Sequence, residues 1–214
     1  MNKQTGFTLI ELAIVLVIIG LLLGGVLRGQ ELINSAKVKN MANDFRNKPT
    51  IVYQYQDKFR ALPGDDKAAK EHVGAAATNG NGNGIIEGIY SAGSGESFQF
   101  WQQIRLANLD IGSTDTAAAS YLPTNAEGGK VGIQGGSTKS IAGLSGSYVV
   151  CSEGILGKFA KQLDTTLDDS NTATGSMMAT AGTIDGTTAA TAATSTGTTI
   201  TIDDTLKYTV CMAF

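Results

Sequence analysis

Apolar and polar positions are spread so unevenly along the 214-residue chain that its parts belong to different environments. A short polar leader carrying Lys3 is followed from Phe7 to Leu27 by a near-continuous apolar run with a single charged side chain, Glu11. A helix of about twenty such residues spans roughly 30 Å, the hydrocarbon thickness of a bilayer. Ordinary secretory signals have apolar stretches of only about 7 to 15 residues, followed by small residues at a cut site. This run is longer, and Gly24-Gly25 make a poor cut site. Beyond it the apolar positions thin to helical spacing, through Leu32, Ile33, Ala36, Met41, Ala42 and Phe45 and then Ile51, Val52, Tyr55, Phe59 and Leu62, while Lys, Asn, Asp and Gln fill the opposite face. One helix over residues 8–61 is expected, on the order of 80 Å long. Pro49 should kink it, and Leu62-Pro63-Gly64 should end it.

Residues 63–214 read as mixed α and β. Phe98, Trp101, Ile104 and Leu109 lie near helical spacing, which predicts a short helix over 97–109. Residues 148–151 (Tyr-Val-Val-Cys) and 206–212 predict short strands, the second alternating Tyr208, Val210 and Met212 with Lys207, Thr209 and Cys211. Residues 198–202 make a third strand candidate. Such strands suit a small antiparallel sheet packed on the second half of the long helix. The chain then divides into a leader (1–6), a membrane-spanning helix (7–27), its amphipathic continuation (28–62) and a head (63–214).

Composition narrows the function. Only 16% of residues are charged, the net charge is −3, and 27 glycines outnumber the 16 basic residues, so no nucleic-acid surface is expected. One histidine and two cysteines leave little for metalloenzyme or Ser-His-Asp chemistry. With no nucleophile–base pair and no phosphate loop, the expectation is that the chain is not an enzyme; a membrane-anchored enzyme or binding module is the remote alternative.

Glu11 needs an explanation, because a carboxylate within a bilayer-spanning helix is unfavourable by about 2.5 to 3.5 kcal/mol at the centre and less near the interface. If the leader is cut between Gly6 and Phe7, the new α-ammonium of Phe7 lies four residues before Glu11. The carboxylate can then pair with its own amine or with that of a neighbouring chain.

The stretch Gly6-Phe7-Thr8-Leu9-Ile10-Glu11-Leu12 resembles the prepilin motif of type IV pilins and type II secretion pseudopilins. The resemblance is specific over residues 3 to about 28 and loose beyond. It implies a type IV pilin-like α+β lollipop: a long N-terminal helix on a small antiparallel-sheet head, with a disulfide-closed C-terminal loop. It further implies a prepilin peptidase that cuts after Gly6 and N-methylates Phe7, and an assembly role for Glu11 in setting axial register. The implied partners are other copies of the chain, an inner-membrane platform protein and an assembly ATPase. The implied locations are the bacterial inner membrane before assembly and a periplasmic or extracellular filament after it. Where many pilins carry a proline in the apolar half, this chain has Gly24, Gly25 and Gly29, which suit either local unwinding or close helix packing.

In an oxidising compartment Cys151 and Cys211 are expected to form a disulfide, with two buried thiols as the alternative. The resemblance points to the disulfide. Residues 170–202, with Asp185 as their single charge, read as a mobile hydroxyl-rich surface open to O-glycosylation, or as a long loop with a threonine-rich edge strand. Asn79, Asn81 and Asn83, spaced two apart and followed by Glu87, resemble a calcium loop, with Asp65 and Asp66 as further possible carboxylates. The first position lacks Asp and the twelfth is Tyr90, and Asn-Gly repeats also make ordinary tight turns, the favoured reading. No cofactor is expected beyond this possible calcium. His72 reads as a lone exposed residue. The function expected is a structural subunit of a type IV pilus for adhesion, motility or DNA uptake, with a pseudopilin of a type II secretion pseudopilus as the alternative.

Overall fold

In the computed structural model, residues 8–138, 140–181, 184–193 and 201–214 are described. The chain divides into two units, Met1–Lys39 and Asn40–Phe214. Helix α1 covers Leu9–Phe59. Within the first unit every Leu, Ile and Val from Leu9 to Leu27 is exposed, so this stretch buries nothing against its own chain. The helix continues through Gly24, Gly25 and Gly29, around which no intrachain atom would meet an added Cβ.

The second unit begins with the amphipathic part of α1. Met41, Ala42, Phe45, Val52 and Tyr55 are buried, at the spacing that keeps one helix stripe against a core. Pro49 sits on this buried face and the helix continues on both sides of it. Helix α1 ends before the expected Leu62-Pro63-Gly64: Arg60 takes a left-handed conformation (φ 55°) while its N–H still bonds the Gln56 carbonyl at 2.8 Å, a cap usually made by glycine. A short helix α2 (Ala69–Val73) follows.

Helix α3 (Glu96–Leu106) realises the expected head helix, with Phe100, Trp101 and Ile104 buried. Lys48 of α1 lies over the Trp101 ring at 5.0 Å and pairs with Asp110 at 3.3 Å, which fastens α1 to α3. The sheet has four antiparallel strands in the order β1-β2-β4-β3, namely β1 (Val131–Gly135), β2 (Tyr148–Leu156), β3 (Met177–Thr180) and β4 (Lys207–Ala213). Strands β2 and β4 contain the two predicted from sequence. Strands β1 and β3, and helix α4 (Gly157–Leu167), are additional. The third strand candidate falls mostly on residues 194–200, outside the described residues; Thr201 and Ile202 belong to no named strand. Helix α4 packs against β2, β3 and β4, and α3 against β1.

The sheet core gathers Tyr90, Ile141, Leu144, Val149, Met178 and Ile184 around a Cys151–Cys211 disulfide. The two cysteines face each other in the β2–β4 register, which brings their Cα atoms to 4.1 Å. Adjacent antiparallel strands place directly opposed residues at about this separation. The molecule is therefore α+β, with a long N-terminal apolar helix, a small antiparallel sheet and a disulfide that closes residues 151–211.

Candidate functional site

Glu11 lies in the first turn of α1, surrounded along the helix by exposed Leu, Ile and Val side chains. Its carboxylate Oε2 accepts both the backbone N–H and the hydroxyl of Thr8, each at 2.7 Å, and the Glu11 N–H reaches back to the Thr8 hydroxyl at 3.3 Å. This is a capping box, in which a threonine at the helix start and a glutamate three residues on satisfy each other's polar groups. Thr8 is the residue the sequence reading passed over, although Thr-x-x-Glu before an apolar run is its signal. Gly6 and Phe7 lie outside the described residues.

Capping satisfies hydrogen bonds but adds no countercharge. Glu11 lies on a helix that is long and apolar enough to cross a membrane. An apolar surface of this extent, exposed on every side, is far beyond the scattered apolar residues of a soluble protein and calls for lipid or other subunits to cover it.

The asparagine loop is organised around two acids from elsewhere in the chain. Asp65, nearly fully buried, accepts the N–H groups of Gly82 (2.6 Å), Asn83 (3.0 Å) and Gly84 (2.6 Å). Glu96 accepts those of Asn81 (2.9 Å) and Glu87 (3.0 Å). Burial pushes the Glu96 carboxyl above the ordinary range, and the Glu87 and Asn81 N–H groups draw it partly back. At Gly80 the chain passes so close to the Asp65 backbone that a side chain would collide with it.

Of the four candidate calcium ligands, the structure brings three together. Asn81 and Asn83 donate their side-chain amides to Glu87 at 3.0 and 2.9 Å. Their oxygens accept the N–H groups of Asn83 and Ile85, both at 2.9 Å, as in the turns these residues commonly form. Asn79 points elsewhere, accepting the Lys70 N–H at 2.9 Å. Every one of these amide oxygens is thus engaged by a backbone donor.

His72 is exposed but not alone. Its Nδ1 lies 2.7 Å from Asp66, which is 1% exposed and also accepts the Tyr55 hydroxyl at 2.8 Å, and its ring stacks on Phe59. The group pins α2 to the end of α1.

The described part of the threonine-rich tract is partly built into the head and partly exposed. It contains β3, an edge strand whose four residues are all buried. Thr172 and Thr180 are buried and donate their hydroxyls to the carbonyls of Ala193 and Thr191 at 2.7 and 2.8 Å.

Residues 1–27 match the family model of the prokaryotic N-terminal methylation motif. This chain carries a prepilin-type N-terminus. The prepilin motif is the one shared by type IV pilins and pseudopilins, and it takes in Gly6, Phe7, Thr8 and Glu11. Among curated proteins and solved structures nothing matches the chain.

Proposed function

We propose that this chain is a structural subunit of a type IV pilus, polymerising through the apolar half of α1. The observation that carries this reading is the fully exposed run from Leu9 to Leu27, broken by a single charge, that begins inside a prepilin motif. A prepilin peptidase hydrolyses the Gly6–Phe7 amide and methylates the new α-amine. The helix stays in the inner membrane until the subunit is recruited.

Transfer of that helix from lipid to a bundle of like helices gains little from the hydrophobic effect, since both surroundings are apolar. Extraction therefore draws on an external energy source, supplied by an assembly ATPase acting through a platform protein. Within the filament, Glu11 pairs with the Phe7 ammonium of an adjoining copy. Thr8 holds the carboxylate in place and the neighbouring amine supplies the countercharge that capping lacks, so a wrong axial offset leaves a charge unpaired in oil. The disulfide-closed C-terminal segment supports a pilus subunit over a secretion pseudopilus. In this reading the loop from Asn79 to Glu87 is structural and the chain performs no catalytic step.

The test is electron microscopy of material sheared from the cell surface, with peptide mass identification. Abundant fibres containing this chain at native expression support the pilus. Fibres seen only on overproduction select the pseudopilus instead.

A further inference from the structure

At the C-terminal end of α4, three acidic side chains converge. Asp164, Asp168 and Asp169 each place a carboxylate oxygen within 4.8 Å of the others. Asp164 is fully buried, and among the described residues neither of its oxygens has a partner in hydrogen-bond geometry. Burial, then Asp169 and Asp168, push its pKa up to about 7, against the weaker opposing pull of the Ser170 and Asn171 backbone N–H groups.

The other two acids are fixed in place by the loop that follows. Asp168 accepts the Met177 N–H (2.7 Å) and the Ser176 hydroxyl (3.1 Å). Asp169 accepts the Asn171 N–H (2.8 Å) and the Thr174 hydroxyl (2.6 Å). Gly175, at φ +79°, passes where any side chain would strike the Asp168 carboxylate. The last turn of α4 has no basic residue, and its carbonyl end adds further negative potential. Lys161, one turn earlier, is paired with Asp204 at 2.9 Å.

A buried carboxylate aimed at two others is relieved either by a proton or by a bound cation. The surrounding donors are all oxygens, which selects a hard cation over zinc or copper. Calcium takes six to eight oxygens in irregular geometry, whereas magnesium demands a near-ideal octahedron. Asp164 closes one side of the cluster and exposed Asp169 leaves the other open for water ligands. We propose that Asp164, Asp168 and Asp169 form a calcium site that ties the end of α4 to the segment entering β3. The site is separate from the loop between Asn79 and Glu87, and it is independent of whether the chain builds a pilus or a pseudopilus.

The experiment titrates calcium chloride into the full-length chain in detergent after chelator treatment, by calorimetry and by thermal unfolding. One ion per chain is expected, with a dissociation constant of about 10⁻⁴ to 10⁻³ M, the range of extracytoplasmic modules, and a calcium-dependent rise in the unfolding midpoint. Asp169→Asn, at an exposed position, should weaken binding at least about tenfold while the chelated variant unfolds near the wild-type midpoint; Glu87→Gln should leave the affinity unchanged. The proposal is overturned by no binding in the wild type, by unchanged affinity in Asp169→Asn, by loss of binding in Glu87→Gln, or by an equal response to magnesium.

Discussion

Thr8 and Glu11 satisfy each other across the first turn of α1, through two 2.7 Å hydrogen bonds to one carboxylate oxygen. Capping and charge compensation are thus separable. Thr8→Ala should weaken the helix start by about 1 kcal/mol and leave filaments forming at reduced yield. Glu11→Ala should insert into the membrane normally and nearly abolish filaments, counted by electron microscopy against membrane-fraction immunoblots. Wild-type filament numbers from Glu11→Ala would refute the assembly role.

Replacing Gly6 by a bulky residue should block leader removal. Intact mass of the membrane fraction should then show the uncut precursor, without the added methyl group. Normal processing of that variant would count against the peptidase assignment.

Asp65 holds the asparagine loop, because three backbone donors end on its carboxylate. Asp65→Ala leaves those donors without their acceptor and should destabilise the head by about 3 kcal/mol, less than three charged hydrogen bonds at about 1.5 to 3 kcal/mol each would sum to, because Gly82, Asn83 and Gly84 are exposed and water takes over their N–H groups. Hydrogen exchange at Gly82, Asn83 and Gly84 should accelerate together. Protection unchanged at these amides would show that the loop holds itself.

The disulfide closes a sequence separation of 60 residues. Chain entropy puts its contribution near 4 kcal/mol. The Cys151→Ser/Cys211→Ser double variant should therefore unfold at markedly lower urea concentration, and the non-reduced wild-type protein should weigh two hydrogens less than its reduced form.

Asp44, in the head-packing part of α1, has its pKa raised chiefly by burial and further by Asp110, against the opposing pull of Lys48. Since the folded value lies above the unfolded one, folding disfavours the charged form; the penalty is present above the folded pKa and gone below the unfolded value of about 3.9. Asp44→Asn should therefore raise the unfolding midpoint at neutral pH and match wild type near about pH 3. A lower midpoint at neutral pH would mean that the attraction to Lys48 dominates.

What the sequence revealed depended on how local each signal was. Helix α1 was readable because its apolar run and stripe extend over many turns, and Trp101 and Ile104 marked α3 in the same way. Strands β2 and β4 stood out through dense β-branched and aromatic positions. Helix α4 was hidden: its buried stripe of Phe159, Ala160 and Leu163 is short and begins at Gly157. Strand β1 (Val-Gly-Ile-Gln-Gly) is broken by glycines, and β3 (Met-Met-Ala-Thr) lies inside a threonine- and alanine-rich tract that resembles surface. In sequence Asp65 reads as a possible cation ligand at the loop 17 to 19 residues away, but nothing nearby announces that it holds that loop by accepting backbone N–H groups. The three acids at the end of α4 lie within six residues of sequence, but without the helix there was no sign that they share one face.

Because Cys151 and Cys211 join β2 to β4, residues 152–210 form the arc of a covalent ring that includes α4 and β3. A single proteolytic cut anywhere in that arc opens the ring but releases no fragment. Both new ends stay tethered through sulfur, and β3 keeps its pairing with β4 within reach. In the proposed filament, such heads would tolerate nicking by proteases without shedding material for as long as the buried disulfide stays oxidised.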